Sequence, residues 1–359
     1  MQNSESNPKP ALKTKSGKAA PGELALLQAI RARSSEMTAA QDPVRAKSRV
    51  QLGIGDDCAL LRPRAGEELA VTTDLSIQGR HFRLDWHPPE SVGHRTLARG
   101  LSDLAAMGAR PVAAFLSLGL PRELTLAQGK SATWVTRFLD GLLALAAEHQ
   151  VPLAGGDLAE SPIAIADIVL TGSVPQGKAL LRSGAQPGDR IYVTGSLGGA
   201  AAELAALEKS PASFAGAKVS GKPAPHLFPQ PRVAQGLWLR KRGLASAAMD
   251  LSDGLSTDLA HLCQESGVAA EVDAAALPLG PGATLEMALH GGEDYELLFT
   301  APEKAKIPSR IEGVEVTAIG RMVAQKARKA HVFLLTESGP KPLLPQGWEH
   351  FANRDLLGL

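Results

Sequence analysis

The stretch AMDLSDGLSTDLAH, residues 247–260, sets Asp250, Asp253 and Asp258 among apolar and small residues. Two carboxylates about 4 Å apart repel by roughly 4 kcal/mol at an effective dielectric of 20. Such crowding is tolerable if the groups are separated, solvated, protonated or neutralised by a cation. Aspartates recur in four other short stretches. GIGDDCAL holds Asp56 and Asp57 in a glycine-flanked turn, and TTDLSIQGRHF is expected to end a strand with Thr72, Thr73 and Asp74. LSDLAAMGARP puts Asp103 on a helix, and LAGGDLAES is expected to end a strand with Gly155, Gly156 and Asp157.

Each of these has an ordinary structural role available. Asp56 and Asp57 suit a turn, Asp103 can pair with Arg99 one helical turn away, and Asp253 can cap a helix starting near Gly254. Jointly, several of the carboxylates follow apolar strands, at the end where α/β proteins bind ligands. Oxygen donors with threonine hydroxyls nearby, and no need for Cys or His, suit Mg²⁺. A Mg²⁺ site built mainly of Asp serves a phosphate substrate, because the ion keeps open positions and neutralises phosphate oxygens.

Alternating elements must position these groups. An amphipathic helix fits Glu23–Arg33, and RVQLGIGDDCALLR and ELAVTTDL read as strands broken by turns. Leu97, Leu101 and Leu104 form one helical stripe, closed by Gly108 and Pro111. VAAFLSLGL is a buried strand, a long helix fits Thr125–Gln150, and VPLAGGD and IAIADIVLTGSV return as strands. DRIYVTGSLGGAAAELAAL then reads as strand, glycine turn and helix, and a second helix fits Val233–Arg242. VAAEVDAAALPL, YELLFTAP, VEVTAIGRMV and HVFLLTES supply further strands. Interleaved strands and helices in both halves imply α/β layers. Three regions follow: a disordered basic arm over 1–21, an N-terminal domain over 22–176 and a C-terminal α/β domain over 177–359. Residues 209–226, rich in Pro, Gly, Ser and Lys, read as an exposed loop.

Bulk properties narrow the function. The 359 residues carry a formal charge of +1, which gives no reason to expect a nucleic-acid or membrane partner. No apolar run approaches the roughly 20 residues of a membrane span. The only cysteines are Cys58 and Cys263, without zinc spacing, which fits a reducing, cytoplasmic setting. Two phosphate-loop look-alikes fail. GSVPQGKA has Ala179 where a P-loop needs a hydroxyl for Mg²⁺, and the glycines of VTGSLGG lack dinucleotide spacing.

Seven segments in order, GIGDDCALL, TTDLSIQGRHF, LSDLAAMGARP, LAGGDLAES, LLRSGAQPGDRIYVTG, AMDLSDGLSTDLAHL and GGEDYELLFT, resemble the thiamine-monophosphate kinases. These belong to the aminoimidazole-ribonucleotide synthetase-like ATP-binding superfamily. The resemblance spans about Gly22 to Phe351 and implies a two-domain fold whose N-terminal domain pairs across a homodimer. It implies transfer of the γ-phosphoryl of ATP, as co-substrate, to thiamine monophosphate, the last step in forming thiamine diphosphate. Carried over by motif, it implies Mg²⁺ ligands at Asp57, Thr72, Thr73, Asp74, Asp103, Asp157, Asp250 and Asp253, holding several ions. It implies ATP contacts at Gly156, Asp157, Arg182 and Ser252, substrate contacts at His81, Glu293 and Trp348, and catalytic roles for Asp57, Asp253 and Arg182. Arg182 can present a planar fork to phosphate, and Trp348 can stack on a thiazolium or pyrimidine ring. The helix WVTRFLDGLLAL offers no aromatic assignable to adenine. A relative that activates a carbonyl or a selenide is the nearest rival, although Cys58 abuts the proposed metal turn rather than lying in a mobile N-terminal loop. A non-catalytic nucleotide-binding regulator is the rival from another class.

Overall fold

The computed structural model describes residues 23–41, 49–55, 57–126, 132–214, 224–325 and 331–349. The basic arm over 1–21, Asp56 and much of the loop read over 209–226 lie outside them. In the first half, α1 (Glu23–Gln41) leads to a ribbon of β1 (Val50–Leu52) and β2 (Leu60–Leu61). Then come β3 (Glu67–Ile77), α2 (Pro89–Ala106), β4 (Arg110–Leu120), α3 (Trp134–Glu148), β5 (Leu153–Glu160) and β6 (Ile165–Pro175). The sheet order is β3-β6-β4-β5, with only β4 and β5 parallel, so β3 and β5 form its edges among the described residues.

The second half opens with β7 (Arg190–Thr194), α4 (Gly199–Lys209), α5 (Val233–Arg242), β8 (Ala247–Asp250) and α6 (Leu255–Ser266). It continues with β9 (Ala269–Asp273), α7 (Leu285–His290), β10 (Leu297–Ala301), β11 (Arg310–Ile311), β12 (Val314–Val323), β13 (Val332–Thr336) and β14 (Gly339–Pro342). These strands form one mixed sheet ordered β14-β13-β9-β12-β7-β10-β8, with β11 beside β12.

Helix α2 is the pivot. Pro89 at its first turn supplies a φ already suited to a helix. The stripe Leu97, Leu101 and Leu104 is buried in one core with Ile168 and Leu170 of the sheet and Leu142 and Leu145 of α3. Each such leucine contributes about 1.5–3 kcal/mol over its exposed state. Glycines set the approach of α3. A Cβ on Gly141 would lie 1.8 Å from the Glu90 carbonyl oxygen, and one on Gly93 would lie 1.9 Å from that of Phe138. The same core takes in Val233 and Leu239 of α5 and Phe299 of β10, so the two halves share it.

Several sequence expectations change. The first helix runs to Gln41 rather than Arg33. The long helix expected over Thr125–Gln150 is shorter, α3 over Trp134–Glu148: Thr125 closes a 3₁₀ turn, and the Thr133 hydroxyl accepts the Thr136 N–H at 3.0 Å at the start of α3. The Thr72–Asp74 and Gly155–Asp157 motifs sit inside β3 and β5 rather than at their ends. The far end of the segment read as an exposed loop is buried, because Leu227 and Phe228 enter a small apolar cluster and carry His226 inward. Phe138 is fully buried and stacks on Trp134, away from any ligand surface.

Candidate functional site

A cavity of about 460 Å³ opens between the two halves, within the roughly 300–1,000 Å³ usual for small-molecule sites. Edge strand β3 brings Asp74 to it, and the segment after β3 brings His81, Phe82 and Trp86. Helix α2 contributes Arg99 and Asp103. The turn after β8 supplies Ser252 and Asp253, the segment before β10 supplies Glu293 and Tyr295, and the C-terminal stretch supplies Trp348. Asp250, at the end of β8, also lines the cavity.

The carboxylates here are crowded. Asp250 is only 3% exposed and accepts the Ser102 hydroxyl at 2.7 Å. Burial first, then the charges of Asp103 and Asp74, push its carboxyl up to about 7. Burial likewise raises Asp74 to about 6, with Asp103 and Asp167 adding to the rise against the opposing charge of Arg99. Burial raises Asp103 as well, opposed by the hydrogen bond it accepts from the Thr72 hydroxyl. Asp74 Oδ2 is buried without a hydrogen-bond partner. Arg99, which could have paired with Asp103, instead reaches Asp74 at 3.5 Å and the Leu75 carbonyl at 3.1 Å.

The turn at 250–254 is built for access. Gly254 adopts φ 113° at the start of α6, a value that disfavours any side chain. No side chain caps α6, whose N-cap is Gly254; instead Asp258 in its first turn reaches back, its Oδ2 accepting the N–H groups of Asp253 at 3.1 Å and Gly254 at 3.0 Å. Asp253 is thereby left to line the cavity rather than to cap the helix. Its carbonyl accepts the Trp348 N–H at 3.0 Å, which ties the C-terminal stretch to the site.

In GGEDYE the three carboxylates diverge. Asp294 accepts the N–H groups of Gly198 at 2.7 Å and Ala200 at 3.2 Å, at the start of α4. Glu296 forms a two-pronged pair with Arg232 and accepts the Thr194 hydroxyl. Glu293 alone faces the cavity, held by the Arg95 guanidinium. Burial would raise its carboxyl, but Arg95 and His226 hold it well below the usual range. Positive φ values of 68° at Glu293 and 50° at Tyr295 mark strain at a ligand-facing turn.

The remaining expected site residues lie elsewhere in a single chain. Thr73 points to the outer face of the first sheet, where its hydroxyl is 3.5 Å from Asp167. Asp157 shares that face: it registers with Ser117, and Ser117 with Asp167, whereas Leu158 turns toward the helices. Three strand spacings separate β5 from β3, about 14 Å. Gly156 also lies on β5, with φ 147° and its α-carbon against the Leu116 carbonyl. Asp57 is exposed beside the β1–β2 ribbon, which packs on the same outer face through Val50, Ala59 and Leu61. Arg182 is exposed outside the cavity lining, yet its charge acts on Asp103 and Asp250. Among the described residues no three acidic, His or Cys side chains converge tightly enough to enclose an ion. The eight expected metal ligands therefore divide into a cavity group, with Thr72 behind it, and an edge-and-outer-face group.

Arg95, His87 and His226 carry no sequence expectation, and Arg99 is expected only as a partner of Asp103. Arg95, Arg99 and Asp103 recur every four residues opposite the leucine stripe, a legible signal. His226 has none, because it arrives on a proline-flanked segment.

Comparison with known proteins decides the family. The AIR synthase related protein N-terminal domain matches residues 55–174, and the C-terminal domain of the same family matches residues 186–332. Thiamine-monophosphate kinase of Escherichia coli (strain K12) is 40% identical over 316 residues, covering 84% of this chain and 93% of that protein. The chain belongs to the thiamine-monophosphate kinase family. Within it, the crystal structure of the Stenotrophomonas maltophilia K279a enzyme is 38% identical, with a TM-score of 0.69, and covers 87% of this chain and 96% of that one. A structure described as AaThiL complexed with AMPPCP and TMP is 31% identical, with a TM-score of 0.67, and covers 92% of this chain and 97% of that one. The two-domain fold of the family is the fold seen here.

Proposed function

We propose that the cavity binds thiamine monophosphate beside Mg²⁺-bound ATP and that the chain transfers the γ-phosphoryl group to the substrate phosphate, giving thiamine diphosphate and ADP. The observation that carries this reading is the meeting of Asp74, Asp103, Asp250 and Asp253 with His81, Glu293 and Trp348 around one cavity, in a chain that belongs to this family. The buried, unpartnered Asp74 Oδ2 and the mutually raised carboxylates fit a divalent cation, which would relieve their repulsion. Mg²⁺ would neutralise phosphate oxygens there.

The chain's own residues perform the rest. The acceptor is an ionised phosphate oxygen, so no strong general base is needed and alignment dominates. Trp348, 39% exposed at the cavity wall, offers a face to a flat cationic ring, and Glu293 offers it a carboxylate. Arg182 would swing its guanidinium onto a phosphate, and Ser252 would hydrogen-bond one.

The family's homodimer is part of the proposal. Thr73–Asp74 lies midway along one free edge of the first sheet, and Gly156–Asp157 midway along the other. Joining β3 of one copy to β5 of a second would bring the two motifs together and close an eight-stranded barrel, removing both edges. It would also cover Leu69, Val71 and Leu75, which are 44%, 63% and 44% exposed on β3. A cytoplasmic location belongs to the same reading, supported by two free cysteines, Cys58 and Cys263. No helix among the described residues is long and apolar enough to cross a membrane.

The test is ADP release with thiamine monophosphate, with thiamine and with no acceptor, each with and without Mg²⁺. Turnover is expected only with the monophosphate and the metal together. Equal release with all three, or none with any, would reject the assignment.

A further inference from the structure

Behind Glu293 lies a polar relay that none of the catalytic groups above includes. His226 Nε2 lies 3.0 Å from His87 Nε2, with the two rings 5.2 Å apart. On its other side, His226 Nδ1 lies 3.1 Å from Glu293 Oε2, while Arg95 holds Glu293 Oε1. His87 Nδ1 receives the Arg83 N–H at 3.1 Å. The backbone of His226 is pinned from α4, where Glu203 Oε2 accepts the N–H groups of His226 at 2.7 Å and Leu227 at 3.3 Å. His226 is 2% exposed and His87 4% exposed.

Facing a carboxylate, His226 Nδ1 carries its proton. Only one proton fits between two Nε2 atoms at 3.0 Å, and His87 Nδ1 faces both the Arg83 N–H at 3.1 Å and the Arg83 carbonyl at 3.2 Å. Burial also lowers both rings, His87 to about 3. The floor of the cavity thus sets the Arg95 and Arg99 guanidinium groups about the Glu293 carboxylate.

We propose that His226, backed by His87, is a positioning residue that fixes the Glu293 carboxylate toward the cavity, so that it accepts a cationic heteroaromatic ring. This rests on the reading of Glu293 as a substrate contact. His226 also lines the cavity, and the role proposed for it is exercised through Glu293.

The experiment compares His226→Leu, which removes both ring nitrogens, with His226→Asn, whose amide restores a donor near the Nδ1 position. Losing the 3.1 Å contact with the Glu293 carboxylate should raise KM for thiamine monophosphate about tenfold in H226L, with kcat and KM for ATP near those of the parent. H226N should recover most of that rise. An unchanged KM for thiamine monophosphate, an equal rise in KM for ATP, or no recovery in H226N would each overturn the inference. If H226L does not fold, His87→Leu and His87→Gln decide. H87L should raise the same KM about threefold, as for a weaker bond one step removed, and H87Q, which keeps a donor at the Nε2 position, should not. Failure of that contrast overturns the inference too. A parent chain without acceptor-dependent ADP release would fail the functional reading itself and take this inference with it. With a working parent, the outcomes above bear on the relay alone.

Discussion

At the scale of single residues, the site stores electrostatic tension. Asp250 titrates near 7 in the metal-free protein because it is buried beside Asp103 and Asp74. Its folded value lies above the unfolded one, so the native state binds more protons between about pH 4 and 7, and that stability is lost as pH rises through 7. His87 and His94, lowered to about 3 and about 4, act oppositely, but only below the ordinary histidine range near 6.5. The window from pH 6.5 to 8 therefore isolates the carboxylates. Asp250→Asn should stabilise the metal-free chain at pH 8 by on the order of 1–3 kcal/mol and flatten the dependence of Tm on pH, while abolishing phosphoryl transfer. An unaltered pH slope would contradict the crowding described here. For the same reason Mg²⁺ binding to the parent should release protons near pH 7. Calorimetry in buffers of different ionisation heat checks this, and a buffer-independent heat would count against it.

At the scale of elements, α2 holds the site together. It carries Arg95, Arg99, Ser102 and Asp103 on one side and the leucine stripe on the other. Its separation from α3 is set by hydrogen atoms at Gly93 and Gly141. Gly141→Ala forces the helix pair apart against backbone oxygen, an overpacking cost of about 1–3 kcal/mol. Chemical denaturation should register that loss, with kcat falling further than stability alone explains, because α2 shifts Asp103 and Arg99. Unchanged stability would mean that the helices slide freely.

At the scale of the whole molecule, one chain carries the parts of the site on two sides of a sheet. The cavity holds Asp74, Asp103, Asp250 and Asp253, while Asp157 and Thr73 look outward. If edge pairing completes the site, breaking it leaves a folded but idle protomer. Val71→Asp puts a charge on the exposed apolar face of β3. It should shift the protein to a monomer in light scattering and remove most activity, with circular dichroism unchanged. A fully active monomer would defeat the pairing.

The sequence by itself determined the chemistry and the alternation of elements. Aspartates, threonine hydroxyls and glycine turns carry their ligand types wherever they sit, and the periods of 2 and 3.6 that separate strand from helix are local. It also placed a helix around Val233–Arg242, where α5 lies, and arginine and lysine in the last turn with Gly243 after it form a local stop. Local reasoning erred at Thr125–Gln150, where Thr133 caps a shorter helix, and at β3 and β5, whose motifs lie mid-strand. Only the tertiary structure decided which carboxylates meet, that Asp258 ties down the turn before α6, and that His226 reaches Glu293. Those outcomes depend on strand register and on contacts between residues such as His87 and His226, 139 positions apart, a separation that no periodicity encodes.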